Sequence, residues 1–182
     1  MKKIKFIIVL IVSLSLASCY NAEIGDGLSK AEEIKTKLED IKEDFKSINN
    51  DTISMIYNIM KQDVDTIAKY TNKFPDNKEW RDAYGIYSDA MHMAKGYFKK
   101  SYNKEIEYSE KQIADLKTDI ESKSLKIDSI RVYLLDEQKA IEILEEKIKI
   151  HIETSNQIID KYNRTKPIVN QYIDSLKTTI KH

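Results

Sequence analysis

The side chains that could do chemistry are few and far apart. One thiol, Cys19, and three imidazoles, His92, His151 and His182, are spread over 182 residues. Met91-His92-Met93 places two thioethers beside an imidazole, a ligand set that suits copper. Consecutive helical residues point about 100° apart, however, so three in a row cannot close on one ion. There is no Gly-rich phosphate loop, nucleophile elbow or metalloprotease motif. No carboxylate pair stands out as an acid–base dyad. The expectation is a non-enzyme with no metal, no cofactor and no small-molecule substrate. The densest cluster of distinctive side chains is aromatic. Tyr70, Phe74, Trp80, Tyr84, Tyr87, Tyr97, Phe98, Tyr102 and Tyr108 put nine of the 16 aromatics within 39 residues. Tyr and Trp are favoured where one surface must be both apolar and polar, which makes Trp80, Tyr84, Tyr87 and Tyr97 the candidate partner-binding residues. The competing reading is that this bulk packs the end of a helical hairpin. Trp80, Tyr84 and Tyr87 share one helical face, as a core also requires.

Cys19 has a different logic. Lys2, Lys3 and Lys5 precede the unbroken apolar run Phe6–Val12, and residues 13–17 stay small or apolar. This is the n-region and h-region pattern of an export signal, too short for a comfortable membrane span of about 20 apolar residues. Leu16-Ala17-Ser18-Cys19 resembles the lipobox of bacterial lipoproteins at every position. The resemblance implies a signal peptide over 1–18, cleavage before Cys19 and acylation of Cys19, which would hold the protein to a membrane. With no second cysteine, an intrachain disulfide is excluded. Tyr20 stands where an aspartate would have resembled an inner-membrane retention signal, so the expected location is the cell envelope, at the outer membrane. Removal of 1–18 leaves three more acidic than basic side chains. No basic stripe is present, so nucleic acid is not an expected partner. The partners expected are the membrane and either a protein or a second copy, through a coiled coil.

The elements that would position these residues are helices. Four glycines and two prolines in the whole chain argue against a loop-rich or all-β fold. Residues 19–28 read as a lipidated, flexible tether containing Gly25 and Gly27, ahead of a helical domain over 29–182. Ala31, Ile34, Leu38, Ile41, Phe45 and Ile48 are spaced three, four, three, four, three, an a/d heptad. Beyond Asn49-Asn50-Asp51 the stripe shifts to Ile53, Ile56, Met60, Val64 and Ile67. The pattern predicts one helix over about 29–73 with a phase shift near 50, or two helices broken there. Phe74-Pro75-Asp76-Asn77 predicts a turn, with Asp76 and Glu79 as a helix start. A register then runs from Ile106 to Ile148 and on to Ile158 and Tyr162, with Ser109, Lys123, Glu137, His151 and Ser155 at positions that should be apolar.

The fold class is therefore all-α: an elongated helical hairpin or coiled coil of long antiparallel helices, with one helix over about 77–164 and a short helix over 168–180 after Pro167. The alternative is a three-helix elongated bundle that turns at Glu121-Ser122-Lys123-Ser124. Asp51-Thr52-Ile53, Asp65-Thr66-Ile67, Asp128-Ser129-Ile130 and Asp174-Ser175-Leu176 resemble the short O-glycosylation motif of exported Bacteroidetes proteins. That resemblance implies Thr52, Thr66, Ser129 and Ser175 as acceptors.

Overall fold

The computed structural model describes residues 2–73, 75–98 and 102–179, and side chains from residue 21 to 178 within those stretches. All regular structure among them is helical: α1 (Lys2–Lys46), α2 (Asn50–Tyr70), α3 (Lys78–Tyr97), α4 (Asn103–Glu121) and α5 (Ile127–Thr179). The fold is all-α. Among the described residues no helix is long and apolar enough to cross a membrane.

The helix boundaries differ from the expected ones in five places. The single helix over 29–73 is two. Asn49 has left the helical conformation, and its side-chain oxygen accepts the backbone N–H of Thr52 at 2.9 Å, capping α2. A residue that bonds its own backbone competes with helix continuation, which is the source of the phase shift. The helix over 77–164 is three pieces. Asn77, rather than Asp76, caps α3 by accepting the N–H of Trp80 at 3.1 Å, and α3 ends at Tyr97, one residue after Gly96, with Phe98 as its C-cap. Gly costs about 1 kcal/mol in a helix relative to Ala.

The turn after α4 is the one the three-helix alternative placed at 121–124. Lys123 takes φ 56°. Its N–H reaches Ile120 O at 3.1 Å, and Ser124 N–H reaches Asp119 O at 3.1 Å. These are the two bonds of a Schellman motif, with lysine where glycine is usual.

The helix over 168–180 is also corrected: α5 runs straight through Pro167. The pattern Ile158, Tyr162, Thr165, Val169, Tyr172, Leu176 continues across the proline at three-four spacing, and Ile158, Thr165, Val169 and Tyr172 are buried. Packing on both sides outweighs the missing N–H and the clash at the preceding turn, together about 3 kcal/mol. Thr165 donates its hydroxyl to Lys161 O at 2.6 Å, an arrangement that helps a helix bend.

Finally, the expected tether over 19–28 is helical. Ile24 is buried, in step with Ala31, Ile34, Leu38 and Ile41. A Cβ on Gly27 would lie 3.1 Å from Ile130 Cγ2. Gly27 is thus a close-packing residue, not a flexible one.

The chain forms two compact units. The first combines residues 1–43 with 102–146. Its ion pairs give the helix directions. Glu23 pairs with Arg131 and Lys37 with Glu145, so α1 and α5 run parallel. Lys117 pairs with Glu32 and Lys42 with Glu110, so α4 is antiparallel to α1. The core is aliphatic: Ile34, Leu38, Ile113, Leu116, Ile120, Ile130, Leu134, Ile141 and Leu144 among others. The second unit combines residues 44–101 with 147–182. There α2 and α3 are antiparallel, joined by Asp63 with Tyr87 and Asn50 with Tyr97, and α5 runs antiparallel to α3.

Candidate functional site

The aromatic candidates all lie in the second unit, on α3. Residues 80, 84, 87 and 97 recur close to helical spacing, so α3 turns them toward α2 and α5. Tyr87 is completely buried. Its hydroxyl donates to Asp63 Oδ2, which also receives the Lys166 ammonium. Its ring stacks on Tyr162, with centroids 6.1 Å apart. Burial and the Asp63 carboxylate together push the Tyr87 hydroxyl far above the ordinary tyrosine value. Tyr97 is 4% exposed. Its ring lies flat on the His151 imidazole, centroids 3.9 Å apart and planes 5° from parallel. Its hydroxyl donates to Asn50 Oδ1 at 3.1 Å and is pushed up to about 12 by burial. Both phenols remain neutral donors at physiological pH and cannot serve as bases.

Tyr87 and Tyr97 therefore face the protein's own core, and their rings present nothing to a partner. Trp80 and Tyr84 are half-buried. Trp80 packs on Tyr172 at 5.4 Å. Tyr84, its hydroxyl raised by burial, lines a cleft of about 230 Å³ with Ile67, Thr71, Lys73 and Pro75. Of the four candidates, only these two keep surface that a partner could touch.

Asp63 and Lys166 carry no role in the sequence pattern, and Asn50 and Tyr162 enter it only as part of a break and as a register position. Asp63 could have been found. The steps Ile53, Ile56, Met60, Asp63, Ile67 are three, four, three, four, so Asp63 occupies the seam position that was read as Val64. The polar interruptions in the register were better predictors. Ser109, His151 and Ser155 are buried, as their positions require, and Thr165 joins them. Lys123 lies in the turn instead. Glu137 is half-buried, its carboxyl raised by burial and by the neighbouring Asp136 charge.

Elsewhere the ligand-bearing residues stay apart. His92 is exposed on α3, and the flanking methionines are half-buried. The Met93 sulfur accepts from Lys161 at 3.3 Å. No three His, Cys, Asp or Glu among the described residues form a group able to hold a metal. Thr52, Thr66, Ser129 and Ser175 are half-buried in helices. The hydroxyl of Thr66 is bonded to Gln62 O and that of Ser175 to Tyr172 O. The backbone of Cys19 belongs to α1, but its side chain lies outside the described residues, as do Phe74 and His182. Compared with known proteins, the chain matches no family model, no curated protein and no solved structure.

Proposed function

We propose that this chain is a lipid-anchored, non-enzymatic scaffold or spacer of the cell envelope, held to the outer membrane through Cys19. The observation that carries this reading is the sequence Leu16-Ala17-Ser18-Cys19, which contains the chain's only thiol and follows a charged and then apolar leader. The fold supports it in two ways. The anchor point runs directly into helix, since α1 continues to Lys46. At 1.5 Å per residue, the stretch from residue 20 to 46 reaches about 40 Å. The aromatic residues that looked most like a recognition surface are largely consumed by internal packing. Acyl chains contribute about 0.8 kcal/mol per buried CH₂, and two or more give stable attachment.

The test is processing and location. Cys19→Ala, or treatment with the signal-peptidase inhibitor globomycin, leaves the precursor uncleaved, and the Cys19→Ala chain incorporates no labelled palmitate. If Cys19→Ala is processed and stays in the membrane fraction like the wild type, the anchor is elsewhere and the reading fails.

A second reading, a lipoprotein that binds a protein partner, is favoured only by the half-buried Trp80 and Tyr84 beside the 71–77 loop. Trp80→Ala with Tyr84→Ala discriminates. Loss of a partner with helicity and melting unchanged supports binding, whereas loss of melting temperature assigns both rings to the core.

A further inference from the structure

In the first unit, the side of α5 that points away from the core is not uniformly polar. Val132, Leu135 and Ile143 are 54%, 51% and 56% exposed. The core-facing residues Ile130, Leu134, Ile141 and Leu144 are all buried. At about 100° per residue, Val132 and Ile143 lie within about 20° of each other and opposite that buried seam. Between them come Asp136 and Lys139, both exposed. The steps Val132, Asp136, Lys139, Ile143 are four, three, four. α5 thus carries a second heptad stripe, back to back with the first. A helix face that only meets water needs no large aliphatic residues at such spacing.

We propose that this stripe is a seam for a second copy of the chain, packed antiparallel along α5. Charge decides both the occupant and the direction. In a parallel pair each residue meets its own copy, so Asp136 faces Asp136 and Lys139 faces Lys139. Like charges so placed destabilise the contact. In an antiparallel pair with a residues opposite d residues, Val132 meets Ile143 of the second copy and Asp136 meets its Lys139. Both layers then occur twice, by the two-fold symmetry of such a contact. Polar layers within a seam weaken it but select one register and one direction. Four layers form a small interface, so the association is reversible. The seam does not depend on the lipid anchor.

The test uses the full-length chain in nonionic detergent with Cys19→Ser, so that neither lipidation nor the native thiol contributes. Val132→Cys and Ile143→Cys chains are mixed and oxidised. The mixture gives a covalent dimer, and neither chain alone does. In the antiparallel register identical positions are about 16 Å apart along the axis, beyond the roughly 7 Å that a disulfide spans between Cα atoms. Self-cross-linking of either chain, or no cross-link in the mixture, overturns the proposal. A second experiment needs no thiol. Asp136→Lys weakens dimerisation about tenfold or more in sedimentation equilibrium, and adding Lys139→Asp restores it with helicity unchanged. A double variant as weak as the single one also overturns the pairing. Because Cys19 is already replaced, failure here says nothing against the anchor, and failure of the anchor leaves this result standing.

Discussion

The two units have the same plan, three helices with the middle one antiparallel, but their cores use different chemistry. The first is built mainly from Ile, Leu and Ala, with Tyr102 and Ser109 also buried, and its specific polar contacts are ion pairs between exposed or half-exposed side chains, such as Lys37 with Glu145 and Arg131 with Glu23. The second buries rings and sets half-buried charges against them: Tyr87 and Lys166 on Asp63, and Tyr97 on Asn50 and His151. Aliphatic layers are interchangeable, since sliding a helix by one heptad replaces Ile with Ile. Surface ion pairs resist such slippage weakly, contributing about 0–1 kcal/mol each. A half-buried carboxylate with two donors has one partner set only, and a slip leaves all three groups without those partners. The contrast teaches that register in the first unit rests on shape, notably at Gly27 against Ile130, while in the second it rests on hydrogen bonds.

The sharpest way to break this comparison is Asp63→Ala. It leaves the buried Tyr87 hydroxyl and the half-buried Lys166 ammonium without their shared acceptor, at a cost of about 2 kcal/mol. In the first unit Ile120→Val, at a fully buried position, costs about 1 kcal/mol. Urea denaturation measures the loss, and amide exchange assigns it to a unit. Should Asp63→Ala cost no more than Ile120→Val, hydrogen bonding is not what holds the second unit in register.

Alkaline pH separates the units without mutation. Burial raises the hydroxyls of Tyr84, Tyr97, Tyr162 and Tyr172, and burial with Asp63 raises Tyr87 further. All five are in the second unit. A raised acid ionises first in the unfolded chain. Its stabilisation is therefore complete below the ordinary tyrosine value of 10.0 and is lost as pH climbs toward the folded value, about 12 for Tyr97. Each such group removes up to about 1.4 kcal/mol per pH unit in that window. The expected result is loss of amide protection in the second unit, with the first still protected, between about pH 10 and 12. Simultaneous loss in both units contradicts it.

The helical class and most of the seam were legible from three-four spacing alone. So was the burial of Ser109, His151 and Ser155, which keep step with the seam inside a helix, whereas Lys123 in the turn and half-buried Glu137 do not follow it. Two signals misled. On local grounds Pro167 predicts a helix start, but the register on either side of it is continuous and packing overrides the proline. Gly25 and Gly27 suggest flexibility by composition, but Gly27 falls in step with Ile24 and Ala31. The candidate site was half legible: Trp80, Tyr87 and Tyr97 do meet rings of α5, but which of the rings on α3 are buried depends on Asp63 and on residues 147–176, far away in sequence.

The α4–α5 turn was the hardest feature to read, because its usual marker is absent. Lys123 holds the left-handed conformation that glycine adopts freely. What compensates is local. The Ser124 hydroxyl bonds Asp119 O at 3.0 Å, and Lys123 Nζ donates to Asn21 Oδ1 at 3.1 Å. The left-handed conformation costs a residue with a Cβ about 1 kcal/mol. Lys123→Gly relieves the strain while loosening the unfolded chain, and the net expected gain is about 0.5 kcal/mol. This is the smallest of the three effects, and it falls on the first unit alone. A rise in that unit's unfolding midpoint, with the second unit unmoved, places the turn's cost where the geometry puts it. A fall in that midpoint assigns the stability of the turn to the lysine side chain instead.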